Sequence, residues 1–161
     1  MRSAAVGQPC SAVAVVNAFG EVLDADGSVL AGAWRDGGWA RTVDVLRAGG
    51  LPAPLSAREA TTLVAILTDA ELTKTEAWLV ARACSAGTAR AIDPAATAVD
   101  GDFVACLAAG RERVEPLILG AVAAHLTAEA IRDAVRAASA LHGCPTAAER
   151  IEGAGGVSSG R

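Results

Sequence analysis

Tyrosine is absent from the chain, and aromatic residues make up only 3% of it. Val, Leu, Ile and Ala must therefore fill the interior, each burying little area. Metal-ligand spacing is missing too: Cys10, Cys84, Cys106 and Cys144 stand far apart, with no C-x-x-C pair. They read as buried thiols. His125 and His142 have no partner motif and read as surface or helix-end residues. Neither a metal nor a cofactor is expected. No basic block occurs, and the net charge is −4, which argues against nucleic acid or an anionic membrane surface as partner. No apolar run approaches the roughly 18–20 residues that a membrane-spanning helix needs. Gln8-Pro9 breaks any signal-peptide core ahead of the apolar stretch at Ser11–Val16, so a cytoplasmic protein is expected.

What is present is a globular composition, 52% hydrophobic and 20% charged over 161 residues, enough for one domain with its own core. The expected domain covers 1–150, and the Gly/Ser-rich 151–161 reads as a flexible tail. Ser11–Phe19 is a continuous apolar run that reads as a strand buried on both faces. Glu21–Leu23 and Ser28–Leu30 flank Asp24-Ala25-Asp26-Gly27, a hairpin turn. That turn lacks the later acidic ligand of a calcium loop. Trp34–Pro54 reads as a loop with a short helix near Thr42–Arg47. Thr62–Thr68 is the next strand. Thr73 and Glu76 then form a capping box, opening a helix to about Ile92 with Ala77, Val80, Cys84, Gly87 and Ala91 on one face. Asp93-Pro94 ends it. Asp102–Ala108 is a third strand. Glu115–Leu141 has helical period through Leu117, Val122, Leu126, Ile131, Val135 and Ala138, as one helix or two, with Gly143 as the stop. The order of elements predicts an α+β fold with helices covering one sheet face.

Three polar points lie beside these strands: Asn17, the pair Thr61 and Thr62, and Asp100 with Asp102. Each has a plain reading, as strand-end turn former, β-branched strand residue, or turn before a strand. The hydroxyl pair follows the loop Gly49–Ser56, which is a candidate for cutting, and precedes a buried run.

Together these points resemble a known family. The matching stretches are Val15-Val16-Asn17-Ala18-Phe19-Gly20-Glu21-Val22, then Thr61-Thr62-Leu63-Val64 through Thr68-Asp69-Ala70-Glu71-Leu72-Thr73-Lys74. They continue in Gly87-Thr88-Ala89-Arg90-Ala91-Ile92-Asp93-Pro94, Asp100-Gly101-Asp102 and Leu107-Ala108-Ala109-Gly110. In that order they resemble the C-terminal half of the DmpA-type L-aminopeptidase/D-esterase family, which includes nylon-oligomer hydrolases. The resemblance implies a layered αββα-type fold and a precursor that cuts itself before a Ser or Thr. It puts the junction between Ala60 and Thr61, so that 1–60 ends the larger subunit and 61–150 belongs to the smaller. Thr61 would be the nucleophile, with its freed α-amine as base. Asn17 matches the oxyanion-hole asparagine, and Asp100 and Asp102 match the pair that orients the nucleophile. The implied substrates are small peptides, amides or esters.

Two departures accompany the match. Ala60 stands where the family has Asn or Gly, residues that accept unusual backbone angles more easily. The family precursor is also longer, and Met1 falls within its larger subunit. A homo-oligomer, or association with a missing N-terminal half, is therefore expected. The alternatives are a non-catalytic remnant, one chain of a split enzyme, or an acyltransferase of the ornithine-acetyltransferase type.

Overall fold

The structure, a computed structural model, describes residues 2–5, 8–50 and 60–155. Its N-terminal part holds β1 (Arg2–Ala5), β2 (Gln8–Asn17), β3 (Glu21–Leu23), β4 (Val29–Ala31), β5 (Ala33–Arg35), β6 (Gly38–Ala40) and α1 (Thr42–Arg47). After residues 51–59 come β7 (Thr61–Glu71), α2 (Lys74–Ala91), β8 (Ile92–Asp93), β9 (Phe103–Arg113), α3 (Pro116–Arg136) and α4 (Ala147–Gly155). Helices pack on a mixed sheet, so the fold is α+β as the pattern predicts.

The main sheet has the order β1-β2-β7-β9, with β2 and β7 antiparallel and β7 and β9 parallel. Helix α2 makes the crossover between the two parallel strands, as parallel pairing requires. Its start is the expected capping box: Thr73 Oγ1 accepts from Glu76 N–H at 3.2 Å, and Glu76 Oε2 accepts from Thr73 N–H at 2.7 Å. Val80, Cys84, Gly87 and Ala91 are buried. Gly87 lies so close to α3 that a Cβ there would sit 2.1 Å from the Ala124 carbonyl oxygen. The small face read from the sequence is thus a close-packing face.

Strand β7 alternates strictly. Thr62, Val64, Ile66, Thr68 and Ala70 are buried against α2 and α3, with Cys10 and Ala12 of β2 beside them. The opposite face of the same strands is open. Val13 is 58% exposed, Val15 63%, Leu63 46%, Leu67 44%, Phe103 61% and Leu107 54%. This corrects the expectation that Ser11–Phe19 is buried on both sides. The run is continuously apolar because both faces are apolar, but the described residues provide a helical layer for only one of them.

Other differences are local. Trp34–Ala40 is a second hairpin, not a loop: β5 pairs with β6, and Trp34 meets Trp39 edge to face with centroids 4.7 Å apart. Its turn places Asp36 and Gly37 at φ of 50° and 80°, the positive-φ pair that Asp-Gly favours in tight hairpins. Helix α3 is a single helix that stops at Arg136, and Leu117 points outward at 78% exposure. Gly143 instead follows His142 in a turn closed by mutual Leu141 and Cys144 backbone hydrogen bonds. Residues 151–155 of the expected tail belong to α4. A second capping box opens that helix, Thr146 N–H donating to Glu149 at 2.7 Å and Glu149 N–H to Thr146 at 3.2 Å.

The cysteines separate into two groups. Cys10 and Cys84 are fully buried, Cys106 is half-buried and Cys144 is exposed. Burial pushes the Cys84 thiol up to about 11, and it also raises Cys10 and Cys106. The thiolate is the reactive form. At pH 8 a thiol reagent should therefore label Cys144 rapidly and the other three only as the protein unfolds. A second fast-reacting thiol would contradict this packing.

Candidate active site

Strand pairing alone assembles the site. The antiparallel register of β2 and β7 sets Asn17 directly opposite Thr61. Both are odd-numbered in strands whose odd positions face the open side, so their side chains share that face. In the parallel direction Ala60, one residue before β7, bridges to Asp100, three residues before β9. Gly101 N–H donates to the Ala60 carbonyl oxygen at 2.8 Å. Three chain segments thus converge on one peptide bond, the one joining Ala60 to Thr61.

The two threonines differ sharply. Thr61 is half-buried and its Oγ1 donates to the Ala60 carbonyl oxygen at 2.8 Å. Its hydroxyl therefore rests against the carbonyl of the preceding residue. Thr62 is 1% exposed and faces the helices, and its Oγ1 has no hydrogen-bond partner among the described residues. The backbone N–H of Thr62 does have one: Asp102 Oδ1 accepts it at 2.7 Å.

Asp102 reaches the junction through the backbone, not through the Thr61 hydroxyl. Partial burial pushes its carboxyl above the usual aspartate range, and the charge of Asp100 adds to the rise; the hydrogen bond from Thr62 N–H works the other way. Asp100 is turned to a different task. Its Oδ2 accepts Thr97 N–H at 2.7 Å, closing the turn ahead of β9, while its backbone bridges to Ala60. Both carboxylates also line a groove of about 490 Å³, completed by Trp78, Arg82 and Thr88 of α2 and by Phe103 at the start of β9.

Ala60 adopts no positive φ, unlike Asp36, Ala96 and His142. An alanine fits there without the backbone strain that Asn or Gly would relieve. From residue 51 onward the loop Gly49–Ser56, read as a candidate for cutting, lies outside the described residues.

Two supports escaped the sequence reading. Gly20 follows Asn17-Ala18-Phe19, and a Cβ on it would lie 2.4 Å from the Pro94 carbonyl oxygen, so this turn needs glycine. Glu21 next to it is 1% exposed. Its Oε1 pairs with Arg41 Nε at 2.8 Å and its Oε2 accepts Thr42 N–H at 2.9 Å. Arg41 also reaches Asp93 at 2.9 Å. This network ties β3, α1 and β8 together just past Asn17. A buried Glu at a strand start was the available signal, but its partner lies twenty residues on (41−21).

Comparisons with known proteins give the family. The model of peptidase family S58 matches residues 10–148, a span that includes Asn17, Thr61, Asp100 and Asp102. An uncharacterized aminopeptidase of Mycobacterium leprae (strain TN) is 37% identical over 125 residues. That match covers 68% of this chain and 34% of the relative, so the chain spans about a third of the length of the protein it matches.

Proposed function

The chain belongs to peptidase family S58, the DmpA-type family whose motifs it carries, and from that membership we propose that it is a self-processing N-terminal nucleophile hydrolase of small peptides, amides or esters. Cleavage between Ala60 and Thr61 frees the Thr61 α-amine. An α-amino group titrates at about 7.7–8.0, so near neutrality a useful fraction is unprotonated and able to take the hydroxyl proton. Thr61 Oγ1 then attacks the substrate carbonyl. The Asn17 side-chain amide donates to the oxygen that becomes negative. Asp102 holds the strand behind the nucleophile through Thr62 N–H, and Asp100 shapes the turn that meets Ala60. The observation that carries this reading is the cross-strand pairing of Asn17 with Thr61, with Thr61 Oγ1 already set against the Ala60 carbonyl.

Four free cysteines suit a reducing compartment, and the proposed location is the cytoplasm. The open sheet face supports association as well. Val13, Val15, Leu63, Leu67, Phe103 and Leu107 form a contiguous apolar surface of the kind that marks an interaction site. We take its cover to be a second copy or a segment equivalent to the rest of the relative's length. Asn17 and Thr61 lie on the same face, so that cover would also wall the substrate site.

The pH profile tests the assignment of the base. With an aminoacyl-p-nitroanilide as substrate, kcat/KM should rise with pH through an inflection near 7.7–8.0, because only the unprotonated amine is active. Acetylating the Thr61 amine after cleavage should abolish turnover. Hydrolysis that survives acetylation, or a flat profile from pH 6 to 9, would remove the N-terminal amine from the mechanism.

A further inference from the structure

Gly101 sits between the two aspartates and carries no side chain, yet it touches the proposed junction twice. Its N–H donates to the Ala60 carbonyl oxygen at 2.8 Å. A Cβ built on it would lie 2.8 Å from Thr61 Oγ1, closer than real Cβ contacts come. Gly101 has no positive φ, so backbone conformation does not explain the glycine. The space that its missing side chain leaves is filled by the Thr61 hydroxyl.

We infer that Gly101 builds the self-cleavage site: its N–H holds the charge that develops on Ala60 O, and its bare Cα gives Thr61 Oγ1 room to reach the Ala60 carbonyl. The inference rests on the self-processing reading and assigns a step within it. In that step Thr61 Oγ1 forms a bond to the Ala60 carbonyl carbon, and the carbonyl π pair moves onto the oxygen. Collapse of this tetrahedral species breaks the bond to the Thr61 nitrogen, which ends with the proton that the hydroxyl has lost. The product is an ester between Ala60 and Thr61 Oγ1. Water then hydrolyses the ester, leaving a carboxylate on Ala60 and a free hydroxyl and α-amine on Thr61.

The oxygen that becomes negative in this step is the one that already receives Gly101 N–H. A hydrogen bond to a charged acceptor is shorter and about twice as strong as one to a neutral carbonyl. A backbone bond of the bridge just ahead of the β7–β9 pairing therefore becomes a stabilising donor as the charge grows, with no rearrangement. Asn17 is left for the later step, in which the charge develops on a substrate oxygen.

Two variants of the full chain separate the two roles. Gly101→Ala keeps the N–H and fills the space beside Thr61 Oγ1. Glycolic acid at position 101, introduced by amber suppression, replaces the amide with an ester, deleting the N–H and adding no bulk. Cleavage should slow by about 10-fold or more in Gly101→Ala, and by about 10²–10³-fold in the glycolyl variant, the usual loss for an oxyanion donor. Neutral hydroxylamine gives the readout that loosened packing would not. It should speed cleavage of the wild-type chain by trapping the ester, and add little in either variant, where forming the ester has become the slow step; release of residues 1–60 is the signal read, because hydroxylamine also cuts the backbone ester at 100–101 of the glycolyl variant. Cleavage of the glycolyl variant within about threefold of wild type would overturn the donor role, since the expected loss is far larger. Gly101→Ala cleaving at the wild-type rate would overturn the steric role. A wild-type chain that never cleaves would instead remove the self-processing reading, and this inference with it.

Discussion

Thr61→Ala should stop both self-cleavage and hydrolysis, while Thr62→Val should stop neither. The first substitution removes the attacking oxygen in both reactions. Loss of a serine nucleophile in a comparable hydrolase costs on the order of 10⁶ in kcat, and a loss of that order is expected here. The second removes a hydroxyl that is buried, turned toward the helices and without a partner among the described residues. A buried polar atom without a partner costs about 1–3 kcal/mol, so valine, with the same shape, should leave stability unchanged or raise it. Rates of cleavage and turnover, read beside urea midpoints, check both statements. Loss of activity in Thr62→Val with full activity in Thr61→Ala would move the nucleophile by one position.

The second large effect is on stability. Arg41→Ala should lower the unfolding free energy by about 3 kcal/mol, near the lower end for breaking a buried ion pair. The Glu21 side chain is fully buried, and without Arg41 it keeps only Thr42 N–H as a donor among the described residues. The cost stays at the low end because the Arg41 side chain is 38% exposed, so water can enter where it was. Arg41→Lys should cost less, since it keeps the charge but loses the fork that spans Glu21 and Asp93. Glu21→Gln added to Arg41→Ala should recover part of the loss, because the stranded charge is gone. Urea denaturation of the wild type, Arg41→Ala, Glu21→Gln and the double variant measures the cycle. A fully additive double variant would show that Glu21 and Arg41 are not coupled.

Local chemistry made much of the fold legible. The Thr73-to-Glu76 capping box and the Asp24–Gly27 turn each state their structure within a few residues, because the interactions concerned are short in sequence. The misreadings have the same scale. Asp36-Gly37 carries an equally plain signal inside a Gly-rich segment that reads as a loop, and the Thr146-to-Glu149 capping box stands just ahead of the segment that reads as a tail. The open sheet face was illegible for a different reason. An apolar run gives no sign of which layer covers it, and the β2 run reads the same with one side open.

The candidate site was read from residue types in order, and the structure adds their register. Asn17 opposite Thr61 follows from how far β2 slides along β7, which no local pattern fixes. Asp102 was expected to orient Thr61 and instead accepts the backbone N–H of Thr62. Gly101 read as a turn residue between two acids; only the folded chain puts it against Thr61 Oγ1.

The central claim is that the bond between Ala60 and Thr61 breaks through the Thr61 hydroxyl. Intact mass of the purified chain after incubation at pH 8 tests it most directly. The account predicts that the 16.1 kDa species gives way to two polypeptides, residues 1–60 and 61–161, the second with threonine as its first residue. A chain that stays at 16.1 kDa, or one that splits at any other bond, contradicts it.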